Sequence, residues 1–361
     1  MTRSKAELRR RRKAEHLQIA MEIDSGPKTT GFEDIEFIHY AISQSNINNI
    51  STEKTFLNKR LSAPLLIEAI TGGADISYDI NKKLAIAARE TGIGIALGSQ
   101  TMGLEDPQMK HTFEVVRTEN PEGLVLANMS AGSDPEMVAE AVDMISADGV
   151  QLHLNIAQEL LMDEGDRDFS QILENIGAIT RQVNVPIIVK EVGFGMSRDV
   201  LIKLYGLGIE YVDVGGAGGT NFATIENNRR QTKLSERWHH WGIPTVPSLI
   251  EGVTSGLPIK VIASGGLIDG QDVAKSLALG ADMAGAAMPF LREAYNAEDS
   301  RKIIELIKSW ILDIKLTMAL TGISKLENFK KCPLIIRGQT KEWLDARGID
   351  STRFAKRNAF I

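Results

Sequence analysis

Lys190 ends an otherwise apolar run, IIVKEV. At the end of a buried parallel strand such a side chain points into the mouth of the fold, where an unpaired charge is costly. It needs an anionic partner: a ligand, or Glu191 and other nearby carboxylates. Strand alternation puts Lys190 and Glu191 on opposite faces, so a cofactor ring or substrate anion is the better expectation. A second group sits in QLHLN, where His153 and Asn155 share one face while Leu152 and Leu154 fill the other. Gln158 and Glu159 follow at once. A single carboxylate there suits Mg²⁺, which is held by one or two carboxylates plus ligand phosphates and water. No His/Cys spacing suits zinc. Two small-residue turns, Ser264-Gly265-Gly266-Leu267 and Gly285-Ala286-Ala287, either present backbone N–H groups to a phosphate or merely let a turn fit. Their occurrence as a pair favours phosphate. The N-terminal LRRRRKAEH reads as a solvated basic face or a nucleic-acid arm. If it is helical, Arg12, Lys13 and His16 lie at i, i+1 and i+4, close enough to grip one diphosphate.

These residues sit at the ends of recurring short apolar runs. Eight runs read as strands: Pro64–Ile70, Ile93–Leu97, Gly123–Asn128, Gly149–Asn155, Pro186–Val192, Tyr211–Gly215, Lys260–Ser264 and Met283–Ala287. Several are continuously apolar, as parallel strands covered on both faces are. Helical segments are expected at Asp79–Glu90, Pro135–Ser146, Phe169–Gln182, Ser197–Tyr205, Pro247–Gly256 and Asp269–Leu279. Strands alternating with helices predict a parallel sheet, and eight repeats predict closure into an α/β TIM (β/α)₈ barrel over 61–325. The rival doubly wound sheet wants G-x-G-x-x-G after its first strand, and TGGAD at 71–75 lacks it. A polar extension, 1–60, precedes the barrel; a helix near Ser300–Thr321 and a tail, 326–361, close the chain. The segment from Gly216 to Trp241 shows little periodicity and reads as a lid or as disorder. In such a barrel the site forms at the C-terminal strand ends, where polar and small residues gather while the strand bodies stay apolar.

Composition narrows the class further. The 361 residues are 43% hydrophobic and 24% charged, ordinary for a soluble enzyme. No apolar run reaches the roughly 20 residues a membrane span needs. The basic start has no apolar stretch behind it, so it is not a secretory signal. One cysteine, Cys332, cannot form an internal disulfide, and this fits a reducing cytoplasm. A net charge of −6 argues against general nucleic-acid affinity.

Taken together, the motifs resemble the type 2 isopentenyl-diphosphate isomerases over nearly the whole chain. They are RKAEH at 12–16, AITGG at 69–73, GSQ at 98–100, LANMS at 126–130, HLNIAQELLMDEGDRDF at 153–169, VKEVGFGMS at 189–197, GGAGGTNF at 215–222, SGGLIDGQD at 264–272 and GADMAGAA at 280–287. The resemblance implies an FMN-containing barrel that needs reduced flavin and Mg²⁺ and shifts a double bond without net redox change. By the same resemblance, FMN contacts fall on Ala69, Ile70, Thr71, Ser99, Asn128, Lys190 and Thr220, with Gly265, Gly266, Ala286 and Ala287 near its phosphate. Arg12, Lys13, His16, His153, Asn155 and Gln158 are implied to bind a diphosphate substrate, and Glu159 to hold Mg²⁺. Gln158, Glu159 and Lys190 are the expected catalytic set, NADPH the reductant, and a cytoplasmic homo-oligomer, tetramer or octamer, the expected assembly. Two departures stand out: Thr101 where many members have a diphosphate-binding arginine, and Asp163-Glu164 where many read Pro-Glu. FMN-dependent 2-hydroxy-acid oxidases are a rival reading, but they need a His and an Arg that SGGLIDGQD and AGAAMPF do not supply. A non-catalytic flavoprotein is the other, and the intact set around His153 speaks against it.

Overall fold

A computed structural model describes residues 5–23, 26–43 and 46–358 of the chain. Eight parallel strands form a closed barrel: β1 Leu65–Ile67, β2 Gly94–Ala96, β3 Val125–Ser130, β4 Gly149–Leu154, β5 Ile187–Glu191, β6 Tyr211–Asp213, β7 Lys260–Ser264 and β8 Met283–Ala286. Their order around the barrel follows the chain, with β8 pairing β1 to close it. All eight expected strands are present, some a few residues shorter, because the backbone leaves the ladder as it turns into the site loops. All six expected helices are present within a few residues of their predicted ends, as is the C-terminal helix Arg301–Leu320. That helix buries Ile303, Ile307, Trp310, Ile314 and Met318, one helical stripe, and Trp310 meets Phe290 at 5.0 Å.

Period-two alternation fills the barrel in layers. The lower layer is apolar, with Leu66, Leu126, Ile188, Ile262 and Met283 packed together. A hairpin, Lys54–Phe56 with Lys59–Leu61, closes this end. Leu57 and Asn58 take φ of 45° and 62° at its two-residue turn, as a type I′ turn requires. Phe56, Leu57 and Leu61 join the lower layer, and Phe56 meets Tyr211 edge-on at 5.6 Å. Two residues further along the strands the interior becomes polar: Glu68, Asn128, Gln151, Lys190, Asp213 and Ser264 are all buried. The expectation of wholly apolar strand bodies is therefore corrected. The polar groups pair with one another across the closed barrel, which strand-by-strand reading does not see.

The extension and the tail are joined by an antiparallel pair, Ile35–Phe37 with Leu334–Ile336. The N-terminal helix, Lys5–Glu22, contacts Thr101–Glu105 and Phe222–Arg229 on the site side of the barrel. Side chains of residues 5–11, including most of the arginine run, lie outside the described ones. Of the two readings of Gly216–Trp241, disorder is corrected: the segment contains helix Phe222–Arg229 and a short 3₁₀ turn, Glu236–His240. Asn221 caps that helix, its side chain accepting from the Thr224 N–H.

Candidate active site

The C-terminal strand ends and the N-terminal helix enclose a cavity of about 710 Å³, within the range of roughly 300–1,000 Å³ typical of small-molecule sites. Of the residues singled out from sequence, Arg12, Lys13, His16, Ala69, Ile70, Thr71, Ser99, Asn128, His153, Asn155, Gln158, Glu159, Lys190, Thr220, Gly265, Gly266 and Ala287 all line it. Ala286 does not. It is buried in the core at the end of β8, where its carbonyl accepts the Glu68 N–H at 2.9 Å.

The two small-residue turns do different work. Gly265 and Gly266 have φ of 104° and 79°, and a Cβ on Gly266 would meet the Gly218 backbone at 2.6 Å. Close approach of the β6 and β7 loops therefore already requires glycine there, whatever binds. The following helix, Gly270–Leu279, is capped by its own Asp269, whose carboxylate accepts from the Asp272 N–H. The helix after β8, Met288–Asn296, has no side-chain cap, and Ala287, Met288 and Pro289 line the cavity. Pro289 carries no N–H, so Met288 and Phe290 supply the first backbone donors that this helix start offers an anion.

Lys190 donates to the Glu191 carbonyl at 2.8 Å, and its Nζ stands 4.0 Å from both Glu68 Oε2 and Asp213 Oδ2. Of the partners the sequence allowed, the protein itself supplies two carboxylates, Glu68 just after β1 and Asp213 at the end of β6. Glu191 does face away, accepting the N–H groups of Val192, Gly193 and Phe194. Burial nevertheless pushes its carboxyl up to about 7. The same signal that marked Lys190, a charge in an apolar run, was present in LLIEA and YVDV and would have found Glu68 and Asp213.

From β4, the His153 ring bonds through Nδ1 to Asn128 Oδ1 at 2.8 Å. Burial first, then the charges of Lys190 and Lys13, push it down to about 3, so the ring is neutral at physiological pH. Glu159 accepts from Asn155 Nδ2 at 2.8 Å and from the Asp166 N–H at 3.0 Å, one bond on each oxygen. Among the described residues no three His, Cys, Asp or Glu gather as a metal cluster. One carboxylate with lone pairs remaining fits Mg²⁺ completed by phosphate and water, and does not fit zinc.

Over the cavity, Lys13 Nζ donates to the carbonyls of Gly72 and Ser99 at 2.5 and 2.7 Å, which brings an ammonium to the turn that Thr101 follows. Arg12 reaches Met162, and His16 Nε2 lies 2.8 Å from Glu226 Oε1. Glu226 is buried and also accepts from Gln158 Nε2 at 3.0 Å and Arg229 Nη1 at 2.6 Å. Burial opposes its ionisation, yet His16, Gln158 and Arg229 together hold it below the usual carboxylate range. Arg229 also reaches Glu15 at 3.2 Å and Glu164 at 2.6 Å, while Arg230 meets Asp163 at 2.6 Å. Asp163 and Glu164 of the departing DEGDR loop thus gain arginine partners. Nothing in the aperiodic segment that carries Glu226 and Arg229 marked them in sequence.

Among the described residues no helix is long and apolar enough to cross a membrane. Solved structures of a mandelate oxidase (TM-score 0.64, 14% identity, 92% of this chain and 97% of that one) and of flavocytochrome b2 (TM-score 0.66, 15%, 93% and 85%) share the fold. Residues 120–335 match the FMN-dependent dehydrogenase family. The isopentenyl-diphosphate delta-isomerase of Bacillus licheniformis is 43% identical over 97% of this chain and 99% of its own length. That of Moorella thermoacetica is 44% identical over 94% and 97%. With an FMN-family barrel and isomerase relatives aligned end to end, the chain belongs to the flavin-dependent, type 2 isopentenyl-diphosphate delta-isomerase family.

Proposed function

We propose that the protein interconverts isopentenyl and dimethylallyl diphosphate, with reduced FMN, Mg²⁺ and NADPH as the reductant that primes the flavin. The observation that carries this reading is end-to-end similarity to named isomerases, in a chain whose N-terminal helix lays Arg12, Lys13 and His16 along the cavity. Reduced FMN, when bound, supplies a proton donor and acceptor for an alkene that ordinary side chains are too weak to protonate.

The protein's own groups bind and orient. Ala69, Ile70, Thr71, Ser99, Asn128 and Thr220 form the wall for the flavin, and the uncapped helix start at Ala287, with Gly265 and Gly266, seats its phosphate. Lys190 keeps a positive charge beside it. Arg12, Lys13 and His16 meet the substrate diphosphate together with His153, Asn155 and Gln158. Glu159, oriented by Asn155, holds Mg²⁺ against the same diphosphate. Gln158, tied to Glu226, orients the carbon that loses its proton. In the forward direction one proton joins the terminal alkene carbon and one leaves C2, so no reductant is consumed per turnover. We place the protein in the cytoplasm as a homo-oligomer.

The test is an anaerobic isomerase assay on flavin-loaded protein, with and without a single round of reduction. Turnover that starts on reduction, consumes no further NADPH and carries solvent deuterium into the new methyl group supports the reading. Stoichiometric NADPH oxidation, or product free of deuterium, overturns it in favour of redox chemistry.

A further inference from the structure

At the floor of the cavity, which Glu68 lines, lies a pair of acids to which the isomerase reading gives no role. Glu68 directly follows β1 and Asp213 ends β6, strands separated by β7 and β8, and the closed barrel brings both carboxyl groups to 4.0 Å from the same Lys190 Nζ. Their side chains are 5% and 0% exposed. Asp213 Oδ1 accepts from Ser264 Oγ at 2.5 Å and from the Gly215 N–H at 3.1 Å. Glu68 Oε2 accepts from Gln151 Nε2 at 3.1 Å and from the Ala69 N–H at 3.3 Å. The remaining oxygens, Glu68 Oε1 and Asp213 Oδ2, are buried without a donor. Lys190 stands 4.0 Å from the pair, too far to donate to either carboxyl but able to balance one negative charge. Two ionised acids would leave a buried charge uncompensated, at a cost of several kcal/mol. A single proton between the two orphaned oxygens removes that cost and supplies the missing hydrogen bond.

The hydrogen bonds around the pair have one direction. His153 Nδ1 bonds Asn128 Oδ1; Asn128 Nδ2 donates to Gln151 Oε1 at 3.1 Å; Gln151 Nε2 donates to Glu68. With Oε2 already accepting twice, the Glu68 hydrogen belongs on Oε1, toward Asp213. Were it on Oε2, both amides would have to turn over and His153 would be left to carry its hydrogen on Nε2.

We propose that Glu68 and Asp213 share one proton, carried on Glu68 Oε1, and that through Gln151 and Asn128 it fixes His153 as the Nδ1–H tautomer, offering Nε2 as an acceptor to the ligand. Glu68 is then a positioning residue. It holds the pair at one negative charge against Lys190 and decides which nitrogen of His153 is an acceptor. Consistent with this, burial and the adjacent Asp213 push the Glu68 carboxyl up to about 8, with Lys190 and Gln151 pulling the other way. Gly285 is what makes room: a Cβ there would meet Glu68 Cγ and Oε1 at 2.6 Å. The inference rests on the isomerase reading only for the identity of the ligand that meets Nε2.

The experiment reads the proton and the tautomer directly, with no turnover needed. Infrared difference spectra of wild type against Glu68→Gln at pH 7 should show a protonated-carboxyl band that the variant lacks. Glu191 and Asp272 are also raised, to about 7 and about 6, so assignment depends on this difference. Nitrogen-15 NMR of histidine-labelled protein should show His153 protonated at Nδ1 in wild type. The tautomer should persist in Glu68→Gln, because the amide can donate to Asp213 and accept from Gln151, and become mixed in Gln151→Leu. A wild type without the band, a band unchanged by Glu68→Gln, a His153 hydrogen on Nε2, or a tautomer indifferent to Gln151→Leu would each overturn the proposal. Loss of isomerase activity alone would bear on the functional reading and leave this one standing.

Discussion

Inside the barrel mouth, polar residues are held by the strands that carry them; across the mouth, they are held by charges between separate segments. Asn128, Gln151, Lys190 and Asp213 sit on neighbouring strands whose ladder spaces them at about 4.8 Å, and short hydrogen bonds complete the arrangement. The cover has no such ladder. His16 from the N-terminal helix, Gln158 from helix Ile156–Leu161 after β4 and Arg229 from helix Phe222–Arg229 after β6 meet on one buried carboxylate, Glu226. The interior is thus a pre-formed floor, while the cover is a clasp whose strength depends on ionisation. On the proposed function, the flavin contacts fall on the floor and the diphosphate-binding cations on the clasp, an arrangement suited to a site that keeps one ligand and exchanges the other.

The largest effect is expected where floor and clasp adjoin. Glu159→Gln should retain fold and flavin but lose activity by about 10²-fold or more if Mg²⁺ positions the diphosphate; undiminished activity in excess chelator would remove that role. Arg229→Met should cost about 3 kcal/mol, because it strips a partner from a buried carboxylate. A shifted denaturation midpoint with an unchanged flavin spectrum would confine the damage to the clasp, and a lost flavin spectrum would erase the distinction.

The two regions should also have opposite pH slopes. Glu226 is held below its ordinary range, so its contribution is present above that range and lost as pH falls through the lowered value. Glu68 is raised from 4.5 to about 8, so its contribution is full below 4.5 and lost as pH rises through 8. Stability measured against pH should flatten at the acid end in Glu226→Gln and at the alkaline end in Glu68→Gln; matching slopes in the two variants would contradict the assignment. The smallest effect is expected from Arg12→Ala, about tenfold weaker substrate binding, or roughly 1.4 kcal/mol, with flavin titration unaltered. A flavin defect would make the N-terminal helix part of the floor.

Much of the site was legible before the fold. Lys190, His153, Asn155 and Glu159 were found because a polar residue in an apolar run is conspicuous, and the N-terminal cations because the family motif names them. That Ala286 lies off the cavity lining was not legible, because a strand end looks alike whether its residue faces the cavity or the core. The missed helix Phe222–Arg229 carries no apolar stripe to announce it; tertiary contacts stabilise it, through Ala223, Ile225, Glu226 and Asn227.

The sequence by itself determined the eight strands, the helices between most of them and the parity that turns Glu68, Gln151, Lys190 and Asp213 inward, since these follow from local periodicity. Only the tertiary structure decided what each inward residue faces. A period identifies a face of a strand but not the distant strand opposite it. The partnership of Glu68 with Asp213, the carboxylates beside Lys190 and the meeting of His16, Gln158 and Arg229 on Glu226 therefore arise from barrel closure and from the packing of loops remote in sequence.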